Sequence, residues 1–287
     1  MSAVEASARV LIGQALAEDI GLGDVTAMYF IPSDRQARAM IVARKEGVIS
    51  GVDIAQAVFH EVDVALDVEV LLPNGSRVSE GAVVMCITGP ARSILTAERT
   101  ALNFLQRLSG VATATARYVE LVKGTNARIL DTRKTTPGYR ALEKRAVLHG
   151  GGTNHRMGLY DRAMVKDNHL VAEGGLDEIQ KSIHRLKADH PDVEVEMEAD
   201  RLDQVEAFLG LDGVDHILLD NMAPELIRKA VAMRGDRVKP YLEASGNVNL
   251  ATVRTIAETG VDFISIGSIT HSAPALDLGM DFVALRG

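Results

Sequence analysis

Residues 127–170 read ARILDTRKTTPGYRALEKRAVLHGGGTNHRMGLYDRAMVKDNHL. Between Asp131 and Asp167 this stretch carries eight bases (Arg133, Lys134, Arg140, Lys144, Arg145, Arg156, Arg162, Lys166) against four acids. That is a local charge of +4 in a chain of formal charge -8. Arg133 and Lys134 follow closely on the apolar pair Ile129-Leu130, and Lys166 follows directly on Met164-Val165. Each pair is what a short buried strand would show, so the bases fall where strands emerge, which is where α/β enzymes place their chemistry. Charge runs are commonly solvated faces. Here, bases punctuate strand ends beside Gly150 to Gly152, where backbone can approach a ligand closely, and the combination predicts an anion site.

Outward from this stretch, short apolar runs alternate with segments of helical length. The runs are Arg128 to Asp131, Ala163 to Val165, Val193 to Met197, His216 to Asp220, Tyr241 to Ala244 and Phe263 to Gly267. Amphipathic segments such as Leu176 to Ala188, Pro224 to Met233 and Leu250 to Thr259 separate the later ones. This is the pattern of right-handed βαβ units, so an incomplete, six-stranded parallel α/β barrel is expected over residues 112–272. Thr135 to Tyr160 reads as one long loop.

Residues 1–111 obey a different grammar. A helix signal runs from about Val4 to Asp19, and strand-like runs follow at Ala39 to Arg44, Val64 to Leu72 and Ala82 to Thr88, with a helix from about Val52 to His60. An α+β sandwich domain is expected, leaving through the helix TAERTALNFLQRLSG with Gly110 as its stop.

A barrel gathers the carboxyl ends of its strands into one mouth. Those ends carry Asp131-Thr132-Arg133-Lys134, Lys166-Asp167, Glu196, Asp220-Asn221, Ser245-Gly246-Asn247 and Gly267-Ser268. Arg133, Lys134, Arg156 and Lys166 suit a substrate with several anionic groups. Glu196 and Asp220 could hold Mg²⁺ directly or through water, or steady a developing cation, while the turns Ser245 to Asn247 and Gly267-Ser268 offer free N–H groups to a phosphate. Each has a plainer reading: Glu194 turns outward or pairs with a base, Asp220-Asn221 caps a helix, and His155, His169 and His271 taken singly are structural hydrogen-bonders.

Composition narrows the class. With 287 residues, 47% apolar and 24% charged, the chain is long enough for a sizeable core. Its acidic balance argues against a nucleic-acid partner, which needs a continuous basic surface. The lone Cys86 lies in an apolar run and has no disulfide partner. Neither a signal peptide nor a membrane-length apolar stretch is read, which makes the cytoplasm the expected location.

The blocks EDIGLGDVT, KEGVISGV, AERTALNFLQRLSGVAT, DTRKTTPG, GGGTNHRMGLYDRAMVKDNH, EVE, LLDNM, EASGN and SIGSITHS span nearly the whole chain in order. In them the sequence resembles the quinolinate phosphoribosyltransferases, the carboxylating nicotinate-nucleotide diphosphorylases of NAD biosynthesis. The resemblance implies that the tail, residues 273–287, returns to the N-terminal domain. It further implies a homodimer, or a hexamer built as a trimer of dimers, with Arg99 donated across the dimer. By similarity, Arg99, Thr132, Arg133, Lys134, His155, Arg156 and Lys166 would surround quinolinate. Lys134, Lys166, Glu196, Asp220, Ser245, Gly246, Asn247, Gly267, Ser268 and His271 would hold phosphoribosyl pyrophosphate. The resemblance implies Lys134, Lys166, Glu196 and Asp220 as the catalytic set and Mg²⁺ as the only cofactor. A paralogous group linked to molybdenum transport shares the fold, but the intact Thr132-Arg133-Lys134 block favours the quinolinate enzyme. The other alternative is a non-catalytic phosphosugar-binding barrel, to which Glu196 and Asp220 would add nothing.

Overall fold

Alternating buried and exposed positions in QARAMIVA make Gln36–Ala43 (β1) a strand with one face in a core. The computed structural model describes residues 3–166 and 175–284; Asp167 and His169 therefore lie outside the described residues. Besides β1, the N-terminal part forms Gly47–Val48 (β2), Asp67–Val70 (β3), Arg77–Val78 (β4) and Val83–Pro90 (β5). With Leu278–Ala284 (here β12) they give a four-stranded sheet in the order β12-β1-β5-β3 and a small β2-β4 pair. The β12–β1 and β1–β5 pairs are antiparallel. Helices Ala3–Ile20, Val25–Phe30, Val52–Val62 and Arg140–His149 belong to the same compact unit, which comprises Met1–Ala116, Thr135–Gly151 and Ile269–Gly287.

Three sequence expectations are corrected here. Gly110 does not stop a helix: Ala91–Leu121 is one helix of 31 residues, and Gly110 lies inside it. A Cβ there would come within 2.1 Å of the Pro274 carbonyl oxygen, so the glycine serves a close backbone approach rather than a C-cap. Gly150 is alike, since its Cβ would sit 2.4 Å from the Ala112 carbonyl, so at this glycine it is the chain's own helix that approaches closely. The supposed loop from Thr135 to Tyr160 contains the helix Arg140–His149, whose sequence RALEKRAVLH is rich in helix formers.

The second unit comprises Arg117–Lys134 and Gly152–Ser268. It contains Arg128–Leu130 (β6), Arg162–Val165 (β7), Glu194–Ala199 (β8), His216–Asp220 (β9), Tyr241–Ser245 (β10) and Phe263–Ser265 (β11). All pairings are parallel, in the order β6-β11-β10-β9-β8-β7. This is the neighbour order of a parallel barrel left open between β6 and β7, so the expected six strands are all present. Residues such as Ile217, Leu219, Leu242 and Ile264 are wholly buried, as strands covered on both faces require. At the open seam, Thr153 bridges Leu130 in parallel, its N–H donating to Ile129 O at 2.8 Å and its carbonyl accepting from Asp131 N–H.

Candidate active site

Residues two apart on a strand share a face. On β7 one such row is Arg162, Met164 and, just past the strand, Lys166; on β8 it is Glu194, Glu196 and Glu198. The matching rows are His216, Leu218 and Asp220 on β9, and Tyr241, Glu243 and Ser245 on β10. The rows form layers. At the amino-terminal end His216, Tyr241 and Phe263 pack ring to ring at 5.3–5.8 Å, with the Arg128 guanidinium over Phe263 at 5.0 Å. Arg162 pairs with Glu194 at 2.6 Å, and His216 meets the same carboxylate at 3.2 Å.

The middle layer holds charge out of water. Glu196 and Glu243 are inaccessible and His155 nearly so. His155 Nε2 lies 3.1 and 3.3 Å from the two oxygens of Glu196 and 3.5 Å from Glu243. Its Nδ1 accepts the Arg156 N–H at 2.7 Å, which directs the ring's proton on Nε2 toward the carboxylates. Burial opposes a charged imidazole, but Glu196 and Glu243 outweigh it and raise the His155 pKa. Glu196 is opposed by burial too, yet the His155 hydrogen bond and the charges of His155 and Arg162 hold it below the ordinary glutamate value. Glu243 goes the other way: burial, then repulsion from Glu196, pushes it up to about 8. Neither of its oxygens completes a hydrogen bond among the described residues, although the nearby Ser265 hydroxyl draws the pKa down.

Asp131 is what places His155. Buried at the end of β6, it accepts the His155 N–H at 2.8 Å and the Asn154 side-chain amide at 2.5 Å. The adjoining Arg156, with Arg133, Arg162 and Lys166, lines a cavity of about 500 Å³ along the free edge of β7, whose apolar lining includes Val165, Ile179 and Ile183. Burial, then the neighbouring Arg133 charge, lowers the Arg156 pKa, and its buried Nε makes no hydrogen bond among the described residues. Two guanidiniums that repel across a half-dry cavity are stabilised when a dianion enters.

The expected anion trap is therefore narrower than the charge count suggested. Arg133, Lys134, Arg156, Arg162 and Lys166 lie in the barrel unit, whereas Arg140, Lys144 and Arg145 ride on Arg140–His149 in the other unit. There Lys144 is buried and Arg145 is bound to Asp53 at 2.6 Å. Arg99 and His271 also belong to the N-terminal unit; His271 Nδ1 is 2.6 Å from the Ser272 hydroxyl. Thr132 turns its hydroxyl to the Lys134 N–H at 3.0 Å.

Glu196 was expected at a strand's end, but β8 runs on to Ala199. The acid at its carboxyl end on the same face is Glu198, half-buried and in an ion pair with Lys166. Asp220, equally half-buried, ends β9, and its carboxylate accepts from the Asn221 side-chain amide at 2.8 Å. Extending the period of EVEMEA by one step would have found Glu198. Glu243, in the quoted EASGN block, is signalled by the same alternation two residues before Ser245.

At the opposite side of the mouth two turns lock together. Asn221 N–H donates to Ser245 O at 2.9 Å, and the Asn247 side-chain amide donates to Asn221 Oδ1 at 3.1 Å. Asn221, Gly246 and Asn247 all have positive φ, of 53°, 94° and 51°. A Cβ on Gly246 would stand 2.1 Å from Asn221 Oδ1, so only glycine fits. A tight turn of this kind can bring successive N–H groups together as a concave anion seat. Gly267-Ser268 leads directly into the short helix Ser268–His271, but Val253–Ala257 starts well after Asn247, so only one of the two turns directly precedes a helix.

Known proteins resemble the chain along nearly its whole length. Residues 24–109 match the family model "Quinolinate phosphoribosyl transferase, N-terminal domain", and residues 111–281 match its C-terminal counterpart. A nicotinate-nucleotide pyrophosphorylase [carboxylating] of Mycobacterium leprae is 41% identical over 96% of this chain and 97% of its own. A chloroplastic protein of the same name from Arabidopsis thaliana is 41% identical over 95% of this chain and 82% of its own. The solved nicotinate-nucleotide pyrophosphorylase of Francisella tularensis superposes with a TM-score of 0.90 at 38% identity, covering 99% of this chain and 98% of that one.

Proposed function

The chain belongs to the quinolinate phosphoribosyltransferase family, and we propose that the barrel mouth described above is where its reaction takes place. The enzyme is a pentosyltransferase of NAD biosynthesis: it joins quinolinate to the ribosyl group of phosphoribosyl pyrophosphate and releases pyrophosphate and CO₂. The observation that carries the placement is the cavity in which Arg133, Arg156 and Lys166 converge.

Quinolinate brings two adjacent carboxylates to that cavity, where Arg133 and Arg156 offer planar forks and Lys166 a point charge. Thr132, Lys134 and His155 flank it. His155 acts through its backbone neighbour, since its Nδ1 fixes the Arg156 N–H. Phosphoribosyl pyrophosphate lies with its 5′-phosphate at Ser245, Gly246, Asn247, Gly267 and Ser268, toward which His271 contributes. Its pyrophosphate lies near Lys134 and Lys166. Glu198 and Asp220 face the ribose. Their half-exposed carboxylates are hard oxygen donors that suit Mg²⁺, directly or through water, and Glu196, sealed against His155, does not. Mg²⁺, when bound, neutralises the departing pyrophosphate.

As the C1′–O bond to pyrophosphate breaks, Glu198 and Asp220 stabilise the positive charge at C1′, and the pyridine nitrogen forms the new bond there. The chain's work is positioning and electrostatics. The quaternised ring then accepts the electrons of the breaking C2–carboxylate bond, so CO₂ leaves without a redox or carbonyl cofactor, and a proton takes its place on the ring.

A dimer is part of this reading. Leu22, Val25, Met28, Tyr29 and Phe30 are exposed together on the N-terminal unit, the kind of apolar patch that a second copy covers, and Arg99 of that unit would complete the partner's quinolinate site. A coupled assay tests the activity: Mg²⁺ and phosphoribosyl pyrophosphate with quinolinate or nicotinate, following mononucleotide and CO₂. Turnover with quinolinate alone, one CO₂ per mononucleotide, is expected; product without CO₂ would overturn the decarboxylating step.

A further inference from the structure

Arg107 and Glu143 form an ion pair that no substrate role explains. Glu143 Oε1 receives Arg107 Nη2 at 2.6 Å and Nε at 3.1 Å, and Glu143 is wholly buried. The remaining capacity of both groups goes to two loops. Arg107 Nη1 donates to Ala273 O at 2.8 Å and Nη2 to Thr270 O, the two carbonyls that bracket His271. Glu143 Oε2 accepts the Thr136 N–H at 3.0 Å and Oε1 the Thr136 hydroxyl at 2.8 Å. Thr136 stands two residues after Lys134, and Thr270 two after Ser268.

These are the loops leaving β6 and β11, which are adjacent strands. Tyr139, ending the first loop, stacks on Phe104 at 5.7 Å, on the same helix as Arg107. A buried ion pair is weak evidence for stability, because desolvation offsets most of its attraction. What this one supplies is geometry, since one guanidinium and one carboxylate fix backbone or hydroxyl groups in both loops.

We propose that the Arg107–Glu143 pair is a positioning device that ties the loops leaving β6 and β11 to one another, setting the placement of Lys134 and His271 without touching substrate. This rests on the reading that those loops hold phosphoribosyl pyrophosphate. In Arg107→Lys a single ammonium keeps the charge but cannot reach Glu143 and both carbonyls at once. In Glu143→Gln the Thr136 N–H meets an amide with one acceptor fewer.

The test combines amide exchange with steady-state kinetics on the full chain. In both variants, exchange over residues 132–139 and 268–276 should quicken together. The KM for phosphoribosyl pyrophosphate should rise on the order of tenfold, since small displacements of binding groups are costly. Phe59→Leu, a core change elsewhere in the same unit, serves as the control for lost Tm and should leave that KM within about twofold. Loosening confined to the loop nearer the altered residue, or two loosened loops with an unchanged KM, would overturn the proposal. If the unaltered protein shows no turnover with quinolinate, the activity has been misread, and exchange alone decides the tie: joint loosening sustains it, separate loosening refutes it. Should Glu143→Gln fail to fold, Arg107→Lys carries the test by itself.

Discussion

Replacing Glu243 by Gln should make the protein more stable at alkaline pH while leaving it unchanged in mild acid. The carboxyl is inaccessible, without a hydrogen-bond partner among the described residues, and raised from 4.5 to about 8 by burial and by Glu196. In the unfolded chain it ionises near 4.5, so between there and about 8 the folded state keeps a proton that the unfolded state has released. Folding stability is therefore whole below pH 4.5 and falls as the pH rises through that window. The gap of about 3.5 units (8 − 4.5) is worth about 5 kcal/mol at 1.36 kcal/mol per unit. His155 and Glu196 titrate with Glu243 as one system and offset part of this, so the difference between the two proteins at pH 8 falls below that ceiling. Gln keeps the shape, carries no charge at any pH and can donate to Glu196. Urea unfolding of both proteins at pH 5, 6, 7 and 8 measures the difference. Parallel stability curves, or a variant that loses stability at pH 8, would refute the reasoning.

Arg133→Ala should weaken quinolinate binding by about 2–4 kcal/mol, because a buried charge-assisted contact is lost; an unchanged KM for quinolinate would remove Arg133 from the site. Glu198→Gln should lower kcat/KM for phosphoribosyl pyrophosphate on the order of 100-fold with Tm unaltered, and a value within threefold of the parent would dismiss the carboxylate's role. In Asp131→Asn the amide replaces one of two acceptors used by His155 and Asn154, so calorimetry should show a loss of about 2 kcal/mol alongside a raised quinolinate KM. Gly110→Ala should cost about 3 kcal/mol or more, measured by denaturant titration, because its Cβ would meet the Pro274 carbonyl at 2.1 Å. An alanine variant of parental stability would mean that the helix and the Pro274 segment part freely.

The parallel sheet was legible because each of its strands is a short, nearly continuous apolar run ended by polar residues, a signal that survives without any knowledge of tertiary contacts. The carboxyl-end bases were legible for the same reason, and Arg133 and Lys166 do share one cavity, which Arg156 also lines. What sequence could not supply was distance. Gly110 looks like a helix stop and Gly150 like room for a ligand, yet each marks where another backbone passes, at Pro274 and Ala112. Arg140, Lys144 and Arg145 add to the local charge, but they ride on a helix that belongs to the other unit. Glu196 was preferred to Glu198 because the strand was ended two residues early. The pairing of β12 with β1 joins segments too far apart for periodicity to connect.

That last pairing sets a schedule for synthesis. Val42 in β1 has its partner at Gly279, so the edge of β1 leaves the ribosome 237 residues before the strand that covers it. At roughly 5–20 residues per second, the nascent N-terminal sheet waits on the order of ten seconds to a minute with one edge bare. An open edge of this kind templates pairing with other chains. Cells that translate this message slowly, or release it short of residue 278, would therefore be expected to need chaperones that shield β1.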